Sequence, residues 1–313
     1  MTDTTNRLKV GLQMPLGQEG TVRWSEMRDI ATLAEDVGFD SLWVVDHFLY
    51  QLEADSDPIG LWECWSLISA LAACTTKVEL GTLVLGMGFR NPALLAKMAD
   101  TVDEISGGRL ILGVGAGYHE LEYTAFGYPY DKKYSRFKEA IQIVHSLLKT
   151  GTVDFEGTYY SARECELKPR GPRPEGPPIM IGTRRPKMLK LAIQYADIWN
   201  VYWDDTANSP AGTARMRELV DAACAEGGRD PATLVRTVTV LTAEEGATPW
   251  WNDMPFTADF KAEPAMGTPE QIAEELMAYQ REGISHVQMN MDNLTPKTVE
   301  NFGRVLEILR AEG

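Results

Sequence analysis

Strand-like and helix-like hydrophobic periods alternate eight times along this chain, a pattern that few folds accommodate. The strand-like runs are Lys9–Met14, Ser41–Val45, Val78–Leu85, Arg109–Gly115, Pro178–Gly182, Asp197–Tyr202, Thr233–Leu241 and His286–Asn290. Helical periods separate and follow them, at about Trp24–Val37, Trp62–Cys74, Pro92 to the Gly107-Gly108 pair, Tyr134–Leu148, Lys187–Tyr195, Ala211–Ala225, Pro269–Arg281 and Thr295–Leu309. Short helix-to-strand connections predict a closed parallel (βα)8 TIM barrel, an α/β fold spanning residues 1–313 as one domain. An open doubly wound sheet is the competing arrangement. It is disfavoured because no Gly-rich turn follows the first strand. The run Gly113–Tyr118 (GVGAGY) imitates a dinucleotide fingerprint, but it follows the fourth strand and has Tyr118 where a third glycine belongs.

Two segments interrupt the alternation. A Pro-, Gly- and Arg-rich stretch after the fourth helix, GTYYSARECELKPRGPRPEGP, cannot be one regular element. A second, from about Thr242 to Met266 after the seventh strand, carries Trp250 and Trp251. Barrel active sites lie at the carboxyl ends of the strands, so this second insertion is placed to act as a lid.

With 44% hydrophobic and 24% charged residues, the 313-residue chain can bury a full core. Its formal net charge of −15 disfavours nucleic acid or an anionic membrane as partner. The N-terminus lacks a basic region followed by an apolar one, and no apolar run approaches the roughly 20 residues that span a bilayer. A cytoplasmic protein is therefore expected. Cys64, Cys74, Cys165 and Cys224 are dispersed and read as reduced thiols. Only four histidines occur, His47, His119, His145 and His286, without metal-site spacing, so no metal is expected; His119-Glu120 is a fragment and His145 reads as structural.

The residues that draw attention are those at strand ends. Asp46 and His47 close the second strand, where an acid and an imidazole serve proton transfer or the orientation of a ring; the competing reading is a helix cap and a buried structural histidine. Gly113, Gly115 and Gly117 bare the backbone after the fourth strand, which also suits tight packing. Gly182-Thr183, with Arg184 and Arg185 following, suits an anion at a helix start. Trp199, Tyr202 and Trp203, with Trp250 and Trp251, are candidates for an apolar pocket that holds a flat ring; core packing is the competing reading for Trp199 and stands level with the pocket for Trp203. No G-x-S-x-G elbow supports an acyl-transfer nucleophile.

Several segments resemble the luciferase-like flavin and deazaflavin oxidoreductases. They are GFDSLWVVDHF (Gly38–Phe48), Leu80–Gly117, SRFKEAIQIV, the YY…KPRGPRPEGPPIMIGT run and YADIWN (Tyr195–Asn200), in family order over about two thirds of the chain. The match is densest to members that use coenzyme F420. The resemblance implies a TIM barrel that transfers hydride between F420 and a small organic substrate; the alternative is an FMN-dependent monooxygenase using O₂ and reduced flavin from a separate reductase. It implies catalytic roles for His47 and Asp46, a non-prolyl cis peptide at Leu83-Val84 supporting the cofactor ring, and cofactor contacts from Asp46, Leu83, Val84, Gly115, Ala116, Gly117, Tyr118, Ile181, Gly182 and Thr183. Gln13, Gln51 and Trp203 are the expected substrate pocket. Tyr118 stands where the glucose-6-phosphate branch has a catalytic glutamate, and Gln51 where it has a tryptophan, so that sugar phosphate is not the expected substrate. Phe137 replaces a tyrosine that holds phosphate in several FMN relatives, which shades the choice toward F420. A homodimer, and possible pairing with a flavin or F420 reductase, are implied by analogy alone.

Overall fold

A computed structural model describes residues 7–15, 22–51, 57–243 and 262–312. Eight parallel strands form the barrel: β1 (Lys9–Gln13), β2 (Ser41–Val44), β3 (Glu79–Thr82), β4 (Leu110–Gly115), β5 (Ile179–Gly182), β6 (Ile198–Val201), β7 (Val235–Thr242) and β8 (His286–Met291). Each pairs with its sequence neighbours, β1 with β8 and β4 with β5, so the sheet closes and leaves no edge. The outer layer comprises α1 (Trp24–Val37), α2 (Cys64–Cys74), α3 (Pro92–Ser106), α4 (Lys133–Thr150), α5 (Pro186–Tyr195), α6 (Pro210–Gly227), α7 (Pro269–Arg281) and α8 (Pro296–Glu312). The predicted (βα)8 barrel is what the chain forms. No helix among the described residues is long and apolar enough to cross a membrane.

Local signals set the helix ends. The Asn91 side chain accepts from the backbone N–H of Ala93 and Leu94, Pro92 occupies the first helical turn, and Gly107 ends α3 in the left-handed region. Glu63 caps α2 by accepting from Trp65 and Ser66, which starts that helix two residues later than the expected Trp62. Strands covered on both faces show unbroken burial, as β2, β4 and β6 do, because helices lie outside and side chains fill the inside.

The third strand is broken where one run was expected, at the non-prolyl cis peptide that the resemblance implied. Pairing stops at Thr82 and resumes at Leu85–Gly86, and the intervening Leu83–Val84 peptide is cis. The Pro-rich stretch contains more order than its composition implies. Thr152–Glu156 and Ser161–Glu166 form an antiparallel hairpin, whose turn is held by the Glu139 carboxylate accepting from the N–H of Thr158, Tyr159 and Tyr160. Arg170 and Arg173 then pin the following coil to Asp100 and Asp103 of α3. This insertion follows a helix and therefore lies at the face opposite the strand carboxyl ends. The insertion after β7, with Trp250 and Trp251, lies almost wholly outside the described residues.

The barrel floor is plugged by Trp43, Leu83, Ile111, Met180 and Ile198. Glycines on the neighbouring strands make room for the indole: a Cβ at Gly81 would sit 2.2 Å from the Trp43 ring, and one at Gly11 would sit 2.4 Å from its Nε1. The indole N–H donates to Ser41 Oγ at 2.7 Å, and that hydroxyl lies 2.7 Å from His286 Nε2. Ser41 Oγ thus bridges the indole of Trp43 and the imidazole of His286. Complete burial pushes His286 down to about 3, with Lys9 adding to the effect. All four cysteines are free thiols, Cys64 and Cys224 buried and the other two partly so. His145, on α4, packs its ring edge-on against Tyr195 of α5 at 5.3 Å, the structural place expected for it.

Two outcomes follow for stability. Gly81→Ala should cost about 1–3 kcal/mol, because the overpacked methyl meets a ring with nowhere to move; urea denaturation checks it, and an unchanged midpoint contradicts the packing. A His286 held below its unfolded value contributes stability above 6.5 that is lost as pH falls from 6.5 through about 3. The wild-type urea midpoint should therefore fall across that window, and His286→Gln should flatten the slope there.

Candidate active site

Four strand ends meet at one mouth. The cis bulge after β3 turns the Val84 side chain across the barrel, where it touches Gly115 at the end of β4 and Gly182 at the end of β5. A Cβ at Gly115 would lie 2.7 Å from Val84 Cγ2, and one at Gly182 would lie 3.3 Å from Val84 Cγ1. Asp46 ties the end of β2 to the same bulge, since its Oδ2 accepts from the N–H of Gly86 at 2.9 Å. The residues singled out at the ends of strands two, three, four and five thus form one continuous surface.

Asp46 is buried and fully engaged. Besides Gly86, it takes a two-pronged contact from Arg90, with Nη1 at 2.7 Å and Nη2 at 3.0 Å. Arg90 also pairs with Glu63 at 2.5 Å, and these partners hold its guanidinium well above its ordinary value against a burial that alone would lower it. The geometry gives Asp46 a supporting place beneath the bulge.

His47 faces the other way. Its Nδ1 lies 2.7 Å from Glu122 Oε1, and the second oxygen of Glu122 accepts from the N–H of Phe48 and, at 3.4 Å, from that of Leu49. Glu122 is 1% exposed, so its carboxylate is anchored by the backbone on one side and orients the imidazole on the other. That leaves Nε2 toward the mouth, 3.5 Å from the Tyr118 hydroxyl. Glu122 sits on a short helix, Glu120–Ala125, inserted between β4 and α4, and the sequence reading passed over it. The available signal was an acid two residues beyond the His119-Glu120 fragment, on the loop that follows the glycine run.

Aromatic rings surround the imidazole. Tyr50 stands on a small hairpin, Leu49–Tyr50 paired with Ile59–Gly60, with its ring 5.0 Å from His47, while the Tyr118 ring is 5.6 Å away. The hydroxyls of Tyr50 and Tyr118 are hydrogen-bonded, and burial pushes Tyr50 up. His119 Nε2 accepts from the N–H of Gln51 at 3.1 Å, and burial pushes that imidazole down. From β6, the Tyr202 hydroxyl accepts from Asn290 at 3.4 Å and is pushed up to about 12 by burial.

The other expected residues fall into three groups. Gln13 is buried inside the barrel top with its Oε1 unpartnered, as are Gln288 Nε2 and Thr239 Oγ1; Asn200 bridges Thr237 and Gln288 at 2.9 Å each. Gly117 and Gly182 line the mouth through their backbone, and Thr183, whose backbone N–H and C=O are taken by Asn200 and Trp199, through its hydroxyl. Leu83 packs in the floor, and Ile181 turns its side chain into the helix–strand core. Ala116 packs against that core as well, and its carbonyl accepts from the Tyr123 hydroxyl at 3.2 Å. Trp203 packs with Leu241, Ala243 and Ala262 beside the insertion rather than around His47, and Trp199 lies in the main core, donating to Thr183 O at 2.7 Å. Arg184, expected to face an anion, is paired with Asp205, and Asp205 is pushed up to about 6 by burial and by Asp204. Phe137 is 1% exposed in the main core. A cavity of about 370 Å³ lies elsewhere, between the ends of β7 and β8 and helices α7 and α8, lined by Thr242, Ile272, Asp292 and Phe302 among others.

A parallel barrel carrying a cis bulge, an oriented imidazole and glycine-bared strand ends at one mouth defines a ligand-binding enzyme scaffold. The profile described as luciferase-like monooxygenase matches residues 8–250, and the chain belongs to that family. An F420-dependent glucose-6-phosphate dehydrogenase of Amycolatopsis mediterranei is 35% identical over 196 residues, 61% of this chain; the chain spans 56% of that enzyme's length. The pyrimidine monooxygenase RutA of Stutzerimonas stutzeri is 27% identical over 96% of this chain and 87% of its own. An F420-dependent secondary alcohol dehydrogenase, solved with an F420–acetone adduct, superposes with a TM-score of 0.80 at 20% identity, covering 97% of this chain and 99% of that one. These relatives are oxidoreductases that divide between F420 and monooxygenase chemistry.

Asp46→Ala should cost about 3 kcal/mol, because a buried Arg90 and the Gly86 N–H lose their acceptor. Urea unfolding reads it directly, and a midpoint within error of wild type would remove Asp46 from its supporting place.

Proposed function

We propose that the protein is an F420-dependent oxidoreductase that transfers hydride between the deazaflavin and a small organic substrate. The single observation that carries this reading is the orientation of His47 by Glu122 at the end of β2, the strand end that Asp46 ties to the Leu83–Val84 bulge through the Gly86 N–H. The residues at the mouth suit a flat, polar-edged ring with a long tail. Val84 offers an apolar seat against two glycines, and a Cβ at either would crowd it. Gln13 Oε1, Gln288 Nε2 and Thr239 Oγ1 are buried donors and acceptors without partners, the kind of groups that a heterocycle's polar edge satisfies. Gly115, Gly117 and Gly182 leave room for the tail where a side chain would stand, and Thr183, whose backbone N–H and C=O are taken by Asn200 and Trp199, offers its hydroxyl. F420 dependence in the Amycolatopsis relative supports the choice of cofactor.

The bound deazaflavin supplies the hydride chemistry. The protein supplies a proton site. Glu122 holds the imidazole ring and favours the proton on Nδ1, so Nε2 is the atom that exchanges a proton with the substrate. Tyr118 and Tyr50 shield that nitrogen from bulk water on one side. Asp46 holds the bulge against Arg90 and exchanges no proton, since each of its oxygens already accepts. In this reading the Arg184–Asp205 pair borders the tail rather than gripping it.

The second reading is an FMNH₂-dependent monooxygenase fed by a separate reductase. The RutA similarity over nearly the whole chain favours it. Titration of the purified protein with F420, FMN and reduced FMN decides between the two. Tight F420 binding with weak FMN binding is expected; tight reduced-FMN binding with oxygen-dependent product reverses the choice. His47→Ala should leave F420 affinity within several-fold and cut turnover by about 10²–10⁴. Unchanged turnover would remove His47 from the chemistry.

A further inference from the structure

The cavity of about 370 Å³ at the ends of β7 and β8 lies outside the barrel wall, in the layer between strands and helices. Side chains alternate along a strand. Thr237 and Gln288 meet Asn200 inside the barrel, so Thr242 and Met291, at odd offsets on the same two strands, point outward. Ile272 of α7, with Phe302 and Val305 of α8, makes the facing wall apolar. The volume suits a small ligand, for which pockets of about 300–1,000 Å³ are usual.

Two polar groups in this lining have capacity to spare. Thr242 is 3% exposed, and its Oγ1 has no hydrogen-bond partner. Asp292 is held beside it, its N–H donating to Thr242 O at 2.8 Å while its carboxylate accepts from the N–H of Asn293. Neither residue caps a neighbouring helix. Thr268 caps α7, and Thr295 accepts from the N–H of Thr298 in the first turn of α8. No lysine, arginine or histidine lines the cavity. A buried hydroxyl without a partner, beside an acid without a counter-charge in the lining, is an arrangement that a ligand completes.

We propose that this cavity is a second ligand site, separate from the mouth, and that it takes a small primary amine with an apolar body. The ammonium group donates to the Asp292 carboxylate and to Thr242 Oγ1, and the body fills the space between Ile272, Met291 and Phe302. Loops after strands seven and eight hold phosphate in many barrels, but the chemistry here opposes an anion. Asp292 repels it. Both flanking helices open on a proline, Pro269 and Pro296, which has no N–H to offer, and the capping threonines already take the N–H groups of Gln271 and Thr298. The site goes beyond the hydride-transfer reading and does not rest on it, since the barrel wall separates the two.

Three probes that share a ring and chain test it: 3-phenylpropylamine, 3-phenylpropan-1-ol and 3-phenylpropanoate. Equilibrium dialysis against the purified full-length chain should retain the amine at least about 10-fold more tightly than the alcohol, and the carboxylate least. Asp292→Asn should bring the amine down to the level of the alcohol. Ile272→Trp fills the chamber and should abolish retention of both. Thr242→Val should weaken the amine by about 5-fold, yet leave the free protein's melting temperature no lower, because the hydroxyl it removes has no partner to lose. Saturating F420 should leave amine retention unchanged. Thermal unfolding verifies each variant's fold, and Asp292→Asn, at a partly exposed position, decides the question if the tryptophan variant fails to fold. Equal retention of amine and alcohol, an amine preference that survives Asp292→Asn or a folded Ile272→Trp, or displacement of the amine by F420 overturns the second site.

Discussion

The buried Asp46–Arg90 pair is the interaction on which the mouth depends. One carboxylate, shielded from water, collects both guanidinium nitrogens of Arg90 and the N–H of Gly86. Such a pair is costly to bury and costlier to break, because Asp46 alone is a naked charge in a poor solvent and Arg90 alone keeps only Glu63. Its geometric effect is to lock the end of β2 against the bulge that follows β3. Val84 is thereby held over Gly115 and Gly182, and His47, next in sequence to Asp46, emerges on the opposite side of the strand end. His47 and the Val84 bulge are consequently tied to the same strand end by one ion pair.

The barrel interior is layered by polarity from floor to mouth. Trp43, Met180 and Ile111 fill the bottom, where Trp43, Ser41 and His286 form a hydrogen-bonded chain. Asn200, Thr237 and Gln288 cross-link the middle, and unpartnered amide and hydroxyl groups appear at the top. A closed, dry floor with unmet polar groups above it is what a barrel needs in order to bind a polar-edged ligand without admitting it to the core. Leu49–Tyr50, paired with Ile59–Gly60, and the stretch from Tyr118 through the Glu120–Ala125 helix then bring Tyr50, Tyr118 and Glu122 around His47.

Much of this was legible in the sequence because barrels impose strong periodicity. Fully buried strands such as Leu42–Val44 and Leu110–Val114 read as apolar runs, and Pro92 and Gly107 mark α3 within a residue. The polar pair Asp46-His47 stood out because it closes such a run. Their different environments did not. Nothing local tells that Asp46 meets an arginine 44 positions away while His47 meets an acid 75 positions away. Glu122 escaped notice for the same reason: on its short helix it resembles any solvated acid, and only the fold turns it inward. Arg184 was legible as a cation beside a bare backbone, whereas Asp205, which occupies it, comes from the next strand's loop. Trp203 read equally as pocket or core until Leu241 and Ala243 were seen to pack on it.

A co-crystal with F420 tests the central claim most directly. The account predicts a ring seated on Val84, its polar edge toward Gln13 and Gln288, its reactive face toward His47 Nε2, and its tail along Gly115–Gly117 and Gly182-Thr183. A ring bound instead in the cavity between α7 and α8, or at the mouth with His47 turned away, would contradict it.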